Sequence, residues 1–207
     1  MEAERPGAKR QERETMTGDF LSDEEVAALG LGRVGARVRI SRHAVLLFPE
    51  HIAVGSDVRV DAFCLLVGNP EGITVGDHVH LSAYTCVVGR RATVIGDFCT
   101  ISVRCSIFTS SDDFSGGSLT NPTVPDELRH TTDAPVTIHA HSAIGAGSVV
   151  LPGVSIGPSA AVGALTLVKE DVPELAIVAG APMRRIGTRL CDHLTFVEQL
   201  PDGEGTP

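Results

Sequence analysis

From Ile138 to Val172 the chain reads IHAHSAIGAGSVVLPGVSIGPSAAVGALTLVKEDV, and aliphatic residues recur at every sixth position: Ile138, Ile144, Val150, Ile156, Val162 and Val168. Four residues after each stands a small or branched one: Ser142, Ser148, Val154, Ala160, Thr166 and Val172. No helix has this period. One large and one small inward residue per six is the pattern of short parallel strands wound into a coil, three strands to a turn, each stacked on its counterpart. The same beat runs through Val34, Ile40 and Leu46, then Val54, Val60 and Leu66, then Val75, Leu81 and Val87, then Ile95, Ile101 and Ile107. Between these sets, insertions such as Gly68 to Gly72 and Gly89 to Arg91 bulge at a corner, where a solenoid accommodates them.

Phe108 to Pro135 abandons the beat and is rich in Gly, Pro, Ser and Asp. An excursion of this length between two regular halves is read as a functional arm (108–135). Ser22 with Glu25 forms a capping box and Gly30 suits a helix end, so Asp23 to Leu29 is expected to be a short helix within 18–33 that covers the open end of the coil. Residues 1–17 are charged and aperiodic and read as a disordered leader. The coil occupies 34–186. Ile177 to Ile186 is expected to form a strand and turn, and 187–207 a helix from Gly187 to Leu200 followed by a disordered tail.

Composition changes this picture little. The 22 glycines and 43 % hydrophobic residues suit many tight corners around one apolar core, and aromatics at 4 % with no Trp suit a narrow one. A net charge of -9 argues against a nucleic-acid partner. The five cysteines have no metal spacing; Cys64, Cys99 and Cys105 fall on the small inward position and are expected to be buried thiols. No apolar signal segment or bilayer-length apolar run is visible, so the expected location is the cytoplasm.

The repeats, the excursion and the run IGAGSVVLPGVSIGPSAAVGALTLVKEDVPELAIVAGAPMRRI resemble the hexapeptide-repeat acyltransferases, near the galactoside, maltose and xenobiotic acetyltransferase branch. The resemblance covers Val34 to Ile186. It implies an all-β left-handed parallel β-helix, against the usual right-handed crossover. It also implies a homotrimer with sites between neighbouring coils, acetyl-CoA or another acyl-CoA as donor, and a small sugar-like acceptor. By similarity Ala146 and Ala164 lie where the backbone meets pantetheine, beside Gly163. Lys169, Arg184 and Arg185 offer cations for the CoA phosphates. Arg184 matches the family's basic position after the Ala-Pro turn, whereas Lys169 stands one residue from the usual place.

Acyl transfer to a hydroxyl requires a proton acceptor, and a positioned His serves at neutral pH. His80 lies between inward Val79 and Leu81, so strand alternation points it outward from a flat face. In sugar acetyltransferases the excursion opens with a catalytic His; here that place falls on Asp112. The expected arrangement has His80 as base, with Asp112 or Asp113 of an adjoining subunit orienting it or the acceptor, as in a triad. Tyr84 and Asn121 are candidate acceptor contacts. The favoured reaction is O-acylation of a sugar hydroxyl; the alternative is N-acylation of an amino sugar or aminated natural product, which an Asp112 and Asp113 pair could assist. A non-catalytic scaffold and a zinc hydratase of the γ-carbonic-anhydrase type rank lower, the latter because His78-Val79-His80 and His139-Ala140-His141 are too closely spaced for its ligand pair. No metal is expected.

Overall fold

The structure, a computed structural model, describes residues 19–199; the expected leader (1–17) and the tail after Leu200 lie outside them. Helix α1 (Asp23–Ala28) is capped as its sequence requires. Ser22 Oγ accepts from the Glu25 amide, and Glu25 accepts from the Ser22 amide. Val26 is buried, and Leu21, Leu29 and Leu31 pack on the core, so α1 closes the first coil. Arg42 clasps Glu25 through two hydrogen bonds of 2.6 and 2.7 Å. These bonds, with help from the Ser22 amide, pull the Glu25 carboxyl down to about 2. A depressed carboxylate stabilises the fold above its unfolded value of about 4.5 and loses that contribution as pH falls toward 2. The melting temperature of Glu25→Gln is therefore expected to lie below wild type at pH 6, with the gap closing between about pH 4.5 and 2.

The coil follows. Its first turn is β1 (Arg33–Val34), β2 (Arg39–Ile40) and β3 (Val45–Leu47), and its second β4 (Ile52–Val54), β5 (Arg59–Val60) and β6 (Leu65–Val67). The third is β7 (Ile73–Val75), β8 (His80–Leu81) and β9 (Cys86–Val88); the fourth is β10 (Thr93–Ile95), β11 (Thr100–Ile101) and β12 (Ser106–Phe108). The arm inserts β13 (Ser110–Asp112) and β14 (Thr131–Asp133), paired antiparallel. The coil resumes with β15 (Val136–Ile138), β16 (Ala143–Ile144) and β17 (Val149–Val150), then β18 (Ser155–Ile156), β19 (Ala161–Val162) and β20 (Leu167–Val168).

Strands stack into three parallel sheets, β1-β4-β7-β10-β15-β18, β2-β5-β8-β11-β16-β19 and β3-β6-β9-β12-β17-β20, which form the walls of a left-handed triangular prism. The sixfold beat is the cause. Each sixth aliphatic is 0–4 % exposed from Ile40 through Val168, except Leu46 in the first coil, which is partly buried. Val34 is the other exception, 40 % exposed, because no coil lies beneath it and α1 covers only part of that end. The small inward positions close the corners: Ser142 and Ser148 donate to the Gly157 and Gly163 carbonyls, and Cys64 and Cys105 to those of Ser82 and Gly145. Burial pushes the Cys64 and Cys99 thiols up to about 11, as expected of core thiols. Every long insertion, the arm included, falls at the corner between the third sheet and the first.

The C-terminal end differs from expectation. The strand-and-turn at Ile177 to Ile186 is present as β21 (Ala176–Ala179) and β22 (Arg184–Thr188), but β22 continues antiparallel through Gly187. The expected helix from Gly187 is replaced by that strand and a 3-10 helix at Asp192–Gln199. The physical reason is the unpaired edge of β19: β21 extends the second sheet, and β22 then covers it with an antiparallel ladder.

Candidate active site

The second sheet displays the candidate base. Strand β8 turns Leu81 inward and leaves the His80 side chain 38 % exposed, above Arg59 of β5 and below Thr100 of β11. His80 Nε2 donates to Asp61 Oδ2 at 2.8 Å, and Arg59 Nε donates to Asp61 Oδ1 at 2.6 Å. Burial by itself would raise the Asp61 carboxyl, but the hydrogen bonds from His80 and Arg59 outweigh it and hold the group below its ordinary value. Asp61 therefore remains an anion that fixes the imidazole through Nε2. Among the described residues no hydrogen bond engages Nδ1. An imidazole held in this way by a carboxylate is an arrangement that can take up a proton.

The orienting group is expected from an adjoining subunit; within the single chain another carboxylate already holds the ring. Asp61, not Asp112 or Asp113, contacts His80, because the coil stacks the residue after Val60 diagonally beneath the residue before Leu81. Aligning the sixfold sets would have shown this neighbour. Asp112 ends β13 at the corner between the third and first sheets, opposite the wall that carries His80, so the two cannot meet within one chain. No hydrogen bond engages the Asp112 carboxylate among the described residues. Asp113 is occupied in the arm: its carboxylate accepts from the Ser115 amide and the Ser118 hydroxyl. The Ser115 side chain, then its amide and the Ser118 hydroxyl, hold its carboxyl below the ordinary range. Asn121 likewise serves its own loop, accepting from Thr123.

The donor candidates lie along the edge between the second and third sheets. There the positions after β5, β8, β11, β16, β19 and β21 form one row: Asp61, Ser82, Ser102, Gly145, Gly163 and Gly180, the last one residue further on. Ala146 and Ala164 stand beside this row in successive coils, half-buried and exposed respectively. Ala146 is two coils above His80, roughly 10 Å at ~4.8 Å per strand. The glycines themselves answer a packing demand. A Cβ on Gly145 would sit 2.5 Å from the Ala164 amide nitrogen, and one on Gly163 2.9 Å from the Ala179 Cβ. Tyr84 projects from the same edge, two residues after Ser82.

The cations are dispersed. Arg184 and Arg185 are exposed on β22, one strand beyond β21, and bond only to Met183 O, Gly187 O and Thr188 Oγ1 among the described residues. Lys169 follows β20 on the third sheet, at the far corner from β22. Among the described residues no three His, Cys, Asp or Glu side chains cluster as metal ligands.

Comparison with known proteins gives this geometry its context. No protein-family model matches the chain. It is 35 % identical over 170 residues to a dTDP-4-amino-4,6-dideoxy-D-glucose acyltransferase of Escherichia coli, spanning 82 % of this chain and 88 % of that one. It superposes with a TM-score of 0.83 and 35 % identity on AntD, an N-acyltransferase from Bacillus cereus solved with dTDP and 3-hydroxybutyryl-CoA, covering 87 % of this chain and 95 % of that one. A lipopolysaccharide biosynthesis O-acetyl transferase, WbbJ of Escherichia coli, is 28 % identical over 141 residues, 67 % of this chain and 69 % of that one. With the prism, the arm and this likeness along most of its length, the chain belongs to the hexapeptide-repeat acyltransferases, which draw their acyl group from a CoA thioester.

Proposed function

We propose that the protein is an N-acyltransferase, active as a cytoplasmic homotrimer, that moves an acyl group from acyl-CoA to the amine of a nucleotide-linked amino sugar. The observation that carries this reading is the 35 % identity across 82 % of the chain to an enzyme named for such an acceptor. It reverses the order read from the sequence, where a hydroxyl acceptor came first. The O-acetyl relative is less similar over a shorter span, so O-acylation is the second reading. Among the described residues no helix is long and apolar enough to cross a membrane.

The chemistry follows from the chain's own groups. The acceptor nitrogen attacks the thioester carbonyl, the C–S bond breaks, and CoA leaves as the thiolate. His80 takes the proton released by the nitrogen at Nδ1 and returns it to the leaving sulfur, while Asp61 holds the ring and offsets the imidazolium charge. Asp112 reaches the site only from a neighbouring copy, where its free carboxylate holds the amine. AntD has been solved with substitutions at a serine and at an aspartate ten positions further on. Ser102 is the one serine of this chain followed ten positions later by an aspartate, Asp112. That spacing supports a shared site built from the Ser102 row and the arm.

The test is thiol release from acetyl-CoA and 3-hydroxybutyryl-CoA with dTDP-4-amino-4,6-dideoxyglucose, compared with the corresponding 4-hydroxy nucleotide sugar. Turnover with the amine and little with the alcohol is expected, from a species three times the 21.7 kDa chain mass. Preference for the alcohol would establish the second reading, and a monomer turning over normally would remove Asp112 from the site.

A further inference from the structure

The edge beside His80 carries groups that this chemistry does not use. Phe63, Tyr84 and Arg104 follow Asp61, Ser82 and Ser102 by two positions, and all three turn the corner with left-handed backbone, φ 62°, 62° and 61°. Stacked coils bring their planar groups into a ladder. The His43 and Phe63 ring centroids are 5.5 Å apart at 22°, those of Phe63 and Tyr84 5.0 Å apart at 23°, and the Arg104 guanidinium lies 5.9 Å from the Tyr84 centroid. Phe63 and Tyr84 nevertheless remain half exposed, at 52 and 51 %. Left-handed backbone is the rule at the corners of this coil, shared by Arg37, Asp57, His78, Phe98 and Leu165 among others; along this edge three successive corners carry large side chains that stay at the surface. Arg104 is exposed and pairs with no carboxylate among the described residues, in a chain of net charge -9.

We propose that this ladder is the platform for the nucleotide half of the acceptor. The ring faces cover one another, and a coil spacing of about 4.8 Å leaves no slot for a further ring between them. The electropositive ring edges point outward instead, and a base lies with its π-face against them in the edge-to-face arrangement. Arg104, one coil above Tyr84, takes the phosphates by charge-assisted hydrogen bonds. The inference rests on the reading of the acceptor as a nucleotide-linked amino sugar and locates that acceptor on the surface. The ladder spans the second to fourth coils, with His80 on the wall beside it, and Ala146 and Ala164 continue the same edge in the fifth and sixth. Acceptor and donor thus share one edge, approaching from its two ends and meeting next to Ser102. Ring edges and a guanidinium suit many bases and any diphosphate, so the platform separates nucleotide-linked sugars from free ones more than one base from another.

Calorimetry with dTDP and with thymidine tests this on the full chain and on Phe63→Asn, Tyr84→Asn and Arg104→Asn. Asn tolerates left-handed backbone and removes each planar group without straining the corner. Each variant is expected to bind dTDP about tenfold or more weakly. Arg104→Asn should keep thymidine binding, which the two ring variants lose, and KM for acyl-CoA should change less than about twofold in all three. Equal dTDP affinity in all four proteins would overturn the platform and leave the acceptor class standing. Absence of dTDP binding in wild type together with acylation of a free amino sugar would overturn the acceptor class itself. A changed molecular mass in the variants would make the ladder a subunit contact and overturn the platform.

Discussion

His80→Asn is expected to lower kcat by about 10²- to 10⁴-fold, or about 2.7–5.5 kcal/mol of barrier. The His80 ring is held at Nε2 by an Asp61 that hydrogen bonds keep ionised, and among the described residues its Nδ1 bonds to no protein group. Asn preserves size and polarity but can neither accept a full proton nor carry positive charge against Asp61. KM for acyl-CoA and the oligomer mass should be unchanged, because His80 lies two coils from Ala146. Exogenous imidazole should restore part of the rate to His80→Ala. Asp61→Asn separates positioning from chemistry: it keeps a partner for the ring but removes the charge that stabilises the imidazolium, so kcat should fall while KM holds. Turnover within about threefold of wild type in His80→Asn would exclude the imidazole as proton acceptor.

The second large effect concerns stability. Ile101→Ala is expected to cost about 2–5 kcal/mol, lowering the melting temperature by roughly 4–20 °C at about 2–4 °C per kcal/mol for a chain of this size. Ile101 is fully buried in the fourth coil, between Leu81 below and Ile144 above. Each coil of a solenoid leans only on its neighbours, so a cavity there weakens both interfaces at the middle of the stack. Val34→Ala provides the contrast. Val34 sits in the end coil, 40 % exposed, and its truncation should stay within about 1 kcal/mol. Thermal melts of the two variants measure the difference; equal losses would mean that the inward beat does not set the core.

The stacked neighbours show how far the chain could be read. Leu81 and Ile101 announce their burial by spacing, and His80 its exposure by standing next to Leu81. The pairing of His80 with Asp61 is legible once the sixfold sets are aligned, because Val60 and Leu81 fall in register and their neighbours stack. The arm's own carboxylates illustrate the opposite limit. Asp112 and Asp113 are adjacent in sequence, but Asp113 is consumed by the turn at Ser115 and Ser118 while Asp112 is not. Nothing in their order distinguishes them. The helix expected from Gly187 was lost to a sheet edge that exists only after the coil has been wound.

The sequence by itself determined the prism: a six-residue period decides locally which side chains face in, because strand alternation and corner geometry act over a few residues. It also determined the cap on the first coil, whose hydrogen bonds span three residues. Only the tertiary structure decided which outward groups become vertical neighbours. His43, Phe63, Tyr84 and Arg104 lie far apart along the chain, and they meet because coils of unequal length close to the same register when their insertions are expelled at one corner.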